Sequence, residues 1–294
     1  MYQYPETTGS DTDLLDSGPV DDVARAVEES GWMGLAFTEH PIPGARWLEN
    51  GGHQTLDPLV TLGFAAAVTS RIKLLTYLVV APYRNPFLLA KAAATVDKLS
   101  GGRMVLGMGT GYAKTEFYAL GVDMEERNAL FDEALDVLPL HWSGESFSYK
   151  GIHFDARDVI ARPRPVQHPI PIWIGGNAKV TRRRVGEKAQ GWMPLVGGPT
   201  LNVTARTATV GDLTELSEMI AEIRDVARAR NEPIDILYPY QDATIFDPKS
   251  DTSRHRDALA ELEHAGVTWT MISGRPGDPA QILGFLRDFG DTYT

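Results

Sequence analysis

In the stretch FTEHP, Glu39 and His40 place a carboxylate beside an imidazole at the end of an apolar run. Histidine titrates near neutrality and a neighbouring carboxylate tunes it, so such a pair can exchange a proton with a substrate. The plainer alternative is a structural histidine bonded to backbone. Its place at the end of a strand favours the functional reading. His53, in ENGGHQTLDP, falls in a loop near the same rim. His141, His153, His168, His255 and His264 fall on helices or on an interrupting segment and read as surface.

Two glycine-rich turns are the next candidates. LSGGRMVLGMGTGYAKTEF places Gly107, Gly109 and Gly111 after a strand. A dinucleotide fingerprint needs its third glycine where Tyr112 stands, so that reading is poor. Two readings remain open: a tight strand-end turn without ligand, or bare backbone that lets a flat ring approach. In IGGNAKVTRRRVGEKA, Gly175 and Gly176 end a strand and Asn177 can cap the following helix. Free N–H groups at a helix start form a phosphate site. Lys179, Arg182, Arg183, Arg184 and Lys188 crowd that helix. Consecutive residues lie about 100° apart, so most of these cations read as a solvated face.

Much other chemistry is excluded. The chain has no cysteine, which removes thiol nucleophiles, disulfides and thiolate metal sites. No H-E-x-x-H or G-x-S-x-G spacing occurs, so neither a metal centre nor a serine elbow is expected. A net charge of −11 disfavours nucleic acid and acidic membranes as partners. No apolar run reaches the roughly 18 residues of a membrane span, and no basic-then-apolar leader opens the chain. A soluble, cytoplasmic protein is the expectation.

The elements that must position these residues alternate in type. Helical stretches such as PVDDVARAVEESG, LVTLGFAAAV and FLLAKAAATVDKLS are separated by apolar runs such as WMGLAFTEH, RIKLLTYLVV and RMVLGMG. Asp57 and Asn85 stand where helix caps belong, each followed by proline. Counting a short opening strand in MYQYP, about eight strand–helix units follow one another. Alternation implies parallel strands and right-handed crossovers, and eight units suit a single closed (β/α)8 barrel over residues 1–294. An open doubly wound sheet is the alternative. After the fourth unit, Ser143–Pro171 breaks the rhythm with a hairpin, ESFSYKGIHF, and a proline-rich loop, an excursion placed to cover the site. Barrel chemistry sits at the C-terminal strand ends, here Thr38–His40, Thr76–Val80, Gly107–Gly111, Gly175–Asn177 and Met193–Val196.

Taken in order, LVVAPYRNPFLLAKAAATVDKLSGGRMVLGMGTGYAKTEFYALG and PRPVQHPIPIWIGGNAKVTRRRVGEKAQGWMPL resemble the luciferase-like monooxygenase family. FTEH and DPLVTLGFAAAVTSRIKLLT agree with it. The resemblance implies a barrel binding flavin mononucleotide (FMN) or the deazaflavin coenzyme F420 at its rim, and the chain looks most like the F420-dependent branch. It implies a non-proline cis peptide at Tyr77–Leu78 under the cofactor ring, with Thr76 at the ring edge. Gly107, Gly109, Thr110 and Gly111 would border the cofactor. Gly175, Gly176, Asn177 and Ala178 would hold its phosphate, and Trp192 would line it. Glu116 matches a family glutamate of structural character.

One departure bears on substrate. Sugar-phosphate dehydrogenases of this family carry a glutamate acid where Tyr112 stands, which disfavours glucose 6-phosphate. The implied enzyme transfers a hydride between F420 and a small organic molecule, with His40 handling the proton, Glu39 supporting it and Tyr112 orienting substrate. The rivals are an FMN monooxygenase and a barrel that binds cofactor without turnover. The loops Pro41–Thr55, Ser143–Pro169 and Gly197–Gly211 would shape the substrate pocket. A homodimer is the family's common state.

Overall fold

Short β-rich runs, each followed by a helix, wind into a closed ring. The computed structural model describes residues 1–8, 13–197, 208–230 and 232–294. Its barrel strands are β1 (Tyr2–Gln3), β2 (Gly34–Phe37), β3 (Lys73–Thr76), β4 (Met104–Gly109), β5 (Ile172–Gly175), β6 (Gly191–Met193), β7 (Asp235–Pro239) and β8 (Trp269–Ser273). Every neighbouring pair is parallel. Tyr2 is in register with Leu35 of β2 on one side and Ile272 of β8 on the other, so β1 closes the ring. That closure rules out the open sheet. Two residues suffice for β1 because the buried Met1 amine also donates to the Thr270 carbonyl at 2.6 Å.

The helices that pack around the barrel are α1 (Val20–Glu29), α2 (Pro58–Val68), α3 (Pro86–Ser100), α4 (Arg127–Trp142), α5 (Lys179–Lys188), α6 (Leu213–Ala227), α7 (Thr252–His264) and α8 (Pro279–Tyr293), and two short helices, Ala45–Glu49 and Lys114–Ala119, lie in the connections. Asp57 caps α2 through the amides of Leu59 and Val60, and Asn85 caps α3 through that of Phe87, as their sequences predict. No described helix is long and apolar enough to cross a membrane.

Strand parity divides the core in two. Ala36, Leu75, Val105, Trp173, Met193, Leu237 and Met271 fill the barrel interior. Leu35, Leu74, Leu106, Ile174, Trp192 and Ile236 face the helices in a second, larger cluster. Side chains alternate along a strand, so a position one residue from an interior residue points away from the site.

The excursion is where the rhythm predicts it, but it does not cover the site. Strands Ser146–Lys150 and Asp155–Ile160 pair antiparallel. Phe147 and Phe154 pack on Phe87 of α3, and Glu133 of α4 accepts from the amides of His153 and Phe154. The proline-rich return is held by Asp97 of α3, whose carboxylate accepts from the amides of Val166 and Gln167. Gln167 also donates to the carbonyl of Met104, the first residue of β4. The detour therefore runs down the outer wall to the end of the barrel opposite the site.

The cationic helix also differs from expectation. Arg182 is buried and pairs with Glu222 of α6, while Arg184 is buried, forks onto Asp132 of α4 and stacks over Phe131. These two join helices; Arg183 is exposed, as a solvated face requires. His255, expected on the surface, is fully buried between Tyr240 and Thr244, and His141 is buried as well.

Candidate active site

At the C-terminal strand ends, a cavity of about 320 Å³ runs from Gln3, Glu6 and His40 past Tyr77–Leu78 and Gly109–Tyr112 to Gly175, Ala178 and Thr181. That volume lies at the low end of the range for small-molecule pockets. Of the three expected pocket loops, Pro41–Thr55 contributes His53, Ser143–Pro169 contributes no lining residue, and residues 198–207 of the third lie outside the described residues.

His40 sits just beyond β2 and is buried. Its backbone amide donates to the Thr55 hydroxyl at 2.9 Å, and its ring lies against Trp47 and His53, with centroids 4.6 and 4.8 Å away. His40 Nδ1 is 3.3 Å from Glu116 Oε1, and the Tyr83 hydroxyl donates to Glu116 Oε2 at 2.9 Å. With Nδ1–H given to the carboxylate, Nε2 carries the lone pair. It has no hydrogen-bond partner among the described residues. A base oriented by a third group is the geometry proton transfer requires.

The expected pairing of Glu39 with His40 is not found. The Glu39 carboxylate accepts from the Val80 amide at 2.6 Å and pairs with the Arg84 guanidinium. Burial pushes it up to about 7, against the pull of Arg84 and the Val80 amide. Glu39 anchors the backbone beyond β3, and Glu116 takes the supporting role at His40. Sequence adjacency misleads because successive side chains at a strand end point to opposite sides. Burial and the nearby carboxylates of Glu116 and Glu6 push the Tyr112 phenol up to about 12, so it stays protonated and acts as a hydrogen-bonding group.

The Tyr77–Leu78 peptide is cis, as the family resemblance implies, and both residues line the cavity. Two of the glycines make room for this bulge. A Cβ at Gly109 would meet Leu78 Cδ1 at 2.9 Å, and one at Gly175 would meet Leu78 Cδ2 at 2.3 Å. The two glycines thus form a slot for the Leu78 side chain. Gly107 lies a layer lower, where a Cβ would meet the Thr76 carbonyl at 2.0 Å, and it does not line the cavity.

Parity removes two more expected contacts. Thr76 and Trp192 each neighbour an interior residue, Leu75 or Met193, and face outwards. The Thr76 hydroxyl donates to the Gly107 carbonyl and Trp192 Nε1 to the Gly176 carbonyl. Both are fully buried and outside the cavity lining.

The phosphate end is partly corrected. The N-cap of α5 is Ala178, which offers no side-chain cap. Asn177 is buried, with its amide donating to the carbonyls of Leu195 and Ala208 and its oxygen accepting from the Leu195 amide. It ties the rim of β5 to that of β6 and lies outside the lining. What remains is an uncapped helix start, flanked by Gly175, Gly176 and the Thr181 hydroxyl, which fits a phosphate. An apolar wall at Leu78 and Val80 with an anion-binding end matches a phosphate-bearing flat-ring cofactor. No cluster of metal-ligating side chains occurs among the described residues.

Glu6, Tyr83 and Thr181 also line the cavity without a mark in the sequence, and Met193 joins them from the strand end Met193–Val196. Glu6 carries a sequence signal, since it follows the short strand in MYQYP.

The model of the luciferase-like monooxygenase family matches residues 8–260. The chain belongs to this family. It is 29% identical over 290 residues to the F420-dependent glucose-6-phosphate dehydrogenase of Nakamurella multipartita, covering 92% of this chain and 83% of that one. An uncharacterised protein of Mycobacterium tuberculosis is 35% identical over 156 residues, 52% of this chain; the match spans about half of that relative, 55% of its length. In fold, the chain is similar to the oxygenating constituent of 3,6-diketocamphane monooxygenase of Pseudomonas putida, solved with FMN. That likeness has a TM-score of 0.74 at 15% identity and covers 99% of this chain and 96% of that one.

Proposed function

We propose that this luciferase-like protein is an oxidoreductase that works with coenzyme F420 on a small organic molecule, with His40 exchanging the substrate proton. The observation that carries the reading is His40 itself: Nδ1 is engaged by Glu116, Nε2 has no described protein partner, and the residue lines the cavity beside Tyr77–Leu78. Bound F420 would supply hydride transfer, since cofactors carry such chemistry and the protein orients it. The chain's own residues do the rest. Leu78 and Val80 wall the ring region, and the start of α5 with Thr181 holds the phosphate. Glu116, braced by Tyr83, fixes the His40 ring so that Nε2 takes or gives the proton. Tyr112 orients the substrate as a neutral hydrogen-bonding group.

The preference for F420 over FMN is supported by the named relative that aligns over most of both chains. Glucose 6-phosphate is disfavoured, because a phenol at about 12 cannot replace the relatives' glutamate acid. Fluorescence titration of the purified protein with F420 and with FMN tests the reading. Micromolar binding of F420 is expected; binding of FMN alone would overturn the cofactor assignment. His40→Ala should abolish turnover of any accepted substrate while cofactor binding persists.

A further inference from the structure

A second concavity lies on the outer wall of the barrel, where the hairpin meets α3 and α4. Its volume is about 720 Å³, more than twice that of the strand-end cavity, and the two share no lining residue. That size lies within the range of small-molecule pockets. Its walls are apolar yet open to water. Leu88 of α3 is 68% exposed and Ile160 of the hairpin 63%, and the stacked rings of Phe87 and Phe147 line it as well. Single exposed apolar residues are ordinary, but several around one concavity mark a binding surface.

Charge is the second feature. In a chain of net charge −11, this groove is lined by three cations and one carboxylate. The carboxylate, Asp155, is taken by Arg157 in a forked pair at 2.9 and 2.7 Å. Lys91 and Arg162 have no carboxylate partner among the described residues. Lys91 Nζ donates to the Arg162 carbonyl, and the Arg162 guanidinium donates to the carbonyls of Gly144 and Ala161. The ammonium of Lys91 thus rests on the backbone of Arg162, and two positive charges without a carboxylate stand at the same stretch of wall.

His141 of α4 is the third feature. It is buried, and its Nδ1 has no hydrogen-bond partner. Buried polar atoms almost always have one. No described residue bonds either ring nitrogen, so the imidazole is left for a group that enters the groove. Burial, with Lys91 close by, holds it below the usual imidazole range. The ring is therefore neutral at pH 7 and carries one N–H to donate.

We propose that this groove is a second ligand site, which takes a small apolar carboxylate. A ring or short chain lies on Phe87, Leu88 and Ile160, and the carboxylate is held by Lys91 and Arg162 with His141 as a further donor. Hydrogen bonds from charged donors to a carboxylate are stronger than neutral ones. A cationic head group would meet two like charges, so the same residues supply the attraction and the exclusion. The assignment does not rest on the oxidoreductase reading or on the cofactor, because the groove and the strand-end cavity are separate.

The probes are 2-naphthoate and 2-naphthylmethylammonium, which share a ring system and differ in the sign of their charge. Each is titrated into the protein, and binding is followed by nuclear magnetic resonance through the His141 imidazole, assigned by its loss in His141→Gln. The His53 resonances, assigned in the same way, report on the strand-end cavity. 2-Naphthoate should shift His141, leave His53 in place and bind at least about tenfold more tightly than the ammonium. Replacing both cations, Lys91→Gln with Arg162→Gln, should bring the two affinities to within about threefold, while Lys91→Arg with Arg162→Lys should retain most of the preference. Lys91→Gln alone, at an exposed side chain, should already narrow the ratio by about threefold. Leu88→Ser should weaken both probes by about threefold or more. The proposal is overturned if 2-naphthoate leaves His141 unmoved, if it shifts His53 alone, or if the ammonium binds the native protein as tightly. It is equally overturned if Lys91→Gln, shown to be folded by thermal denaturation, keeps the native ratio.

Discussion

Gly175→Ala should weaken cofactor binding without unfolding the protein. The added Cβ would sit 2.3 Å from Leu78 Cδ2. Carbon atoms rest at about 3.5–4.0 Å, so that methyl must retreat by about 1.2–1.7 Å. It cannot retreat sideways, because Gly109 Cα backs the other methyl closely: a Cβ there would lie 2.9 Å from Leu78 Cδ1. Leu78 is only half-buried and lines the cavity, so it moves into the space the cofactor needs. Overpacking of this kind costs about 1–3 kcal/mol, which is about 5- to 150-fold in Kd. Isothermal titration with F420 and with FMN measures the loss for whichever binds, and thermal denaturation should show little change. Removing the obstructing side chain provides the control. In a Leu78→Ala background, Gly175→Ala should cost less than about twofold, because the clash partner is gone. An undiminished affinity in Gly175→Ala, or an equal loss in both backgrounds, would refute the slot.

Four further outcomes are expected. Glu116→Gln should leave cofactor affinity near native but lower kcat and shift its pH profile, since the His40 ring loses its ionised partner; an unchanged profile would return Glu116 to a purely structural role. Trp192→Phe should lower Tm through loss of the bond to the Gly176 carbonyl, yet leave cofactor Kd unchanged, because the indole lies outside the cavity. Arg184→Ala should destabilise by about 1–3 kcal/mol in denaturant melts, because it removes a forked bond between α5 and α4. His53 supplies a pH test. Its folded pKa is depressed to about 4, so between about pH 6.5 and 4 the unfolded chain binds the proton the folded one refuses. Stability from this group is present above about 6.5 and falls as pH drops through that window. His53→Gln should flatten that limb of the stability–pH curve, and a curve identical to native would reject the assignment.

The ring of eight strands was legible because each unit carries its own signals: Asp57–Pro58 and Asn85–Pro86 start helices, and apolar runs mark the strands between them. The strand-end rule also pointed to the rim where the cavity lies. What misled was side-chain direction. Thr76 and Trp192 stand at the right height on their strands but on the wrong parity, and parity depends on register that only the closed barrel fixes. Glu39 lost its role to Glu116 because a neighbour in sequence competes with one brought in by folding, 76 residues away. Asn177 looked like a cap by type, but the chain continues one residue further before turning into helix. The glycine-rich turns mark where the backbone is bare. Which group occupies that room, the Leu78 side chain, required knowing that β3 bulges between β4 and β5.

The hairpin and its proline-rich return touch α3, α4 and the first residue of β4, and contribute nothing to the cavity lining. Ile152, near the hairpin tip, is 83% exposed, and the chain contains no cysteine. Ile152→Cys would therefore create a unique thiol on a feature remote from the chemistry. A probe or surface tether attached there would immobilise the barrel by its flank and leave the mouth of the cavity open to solution.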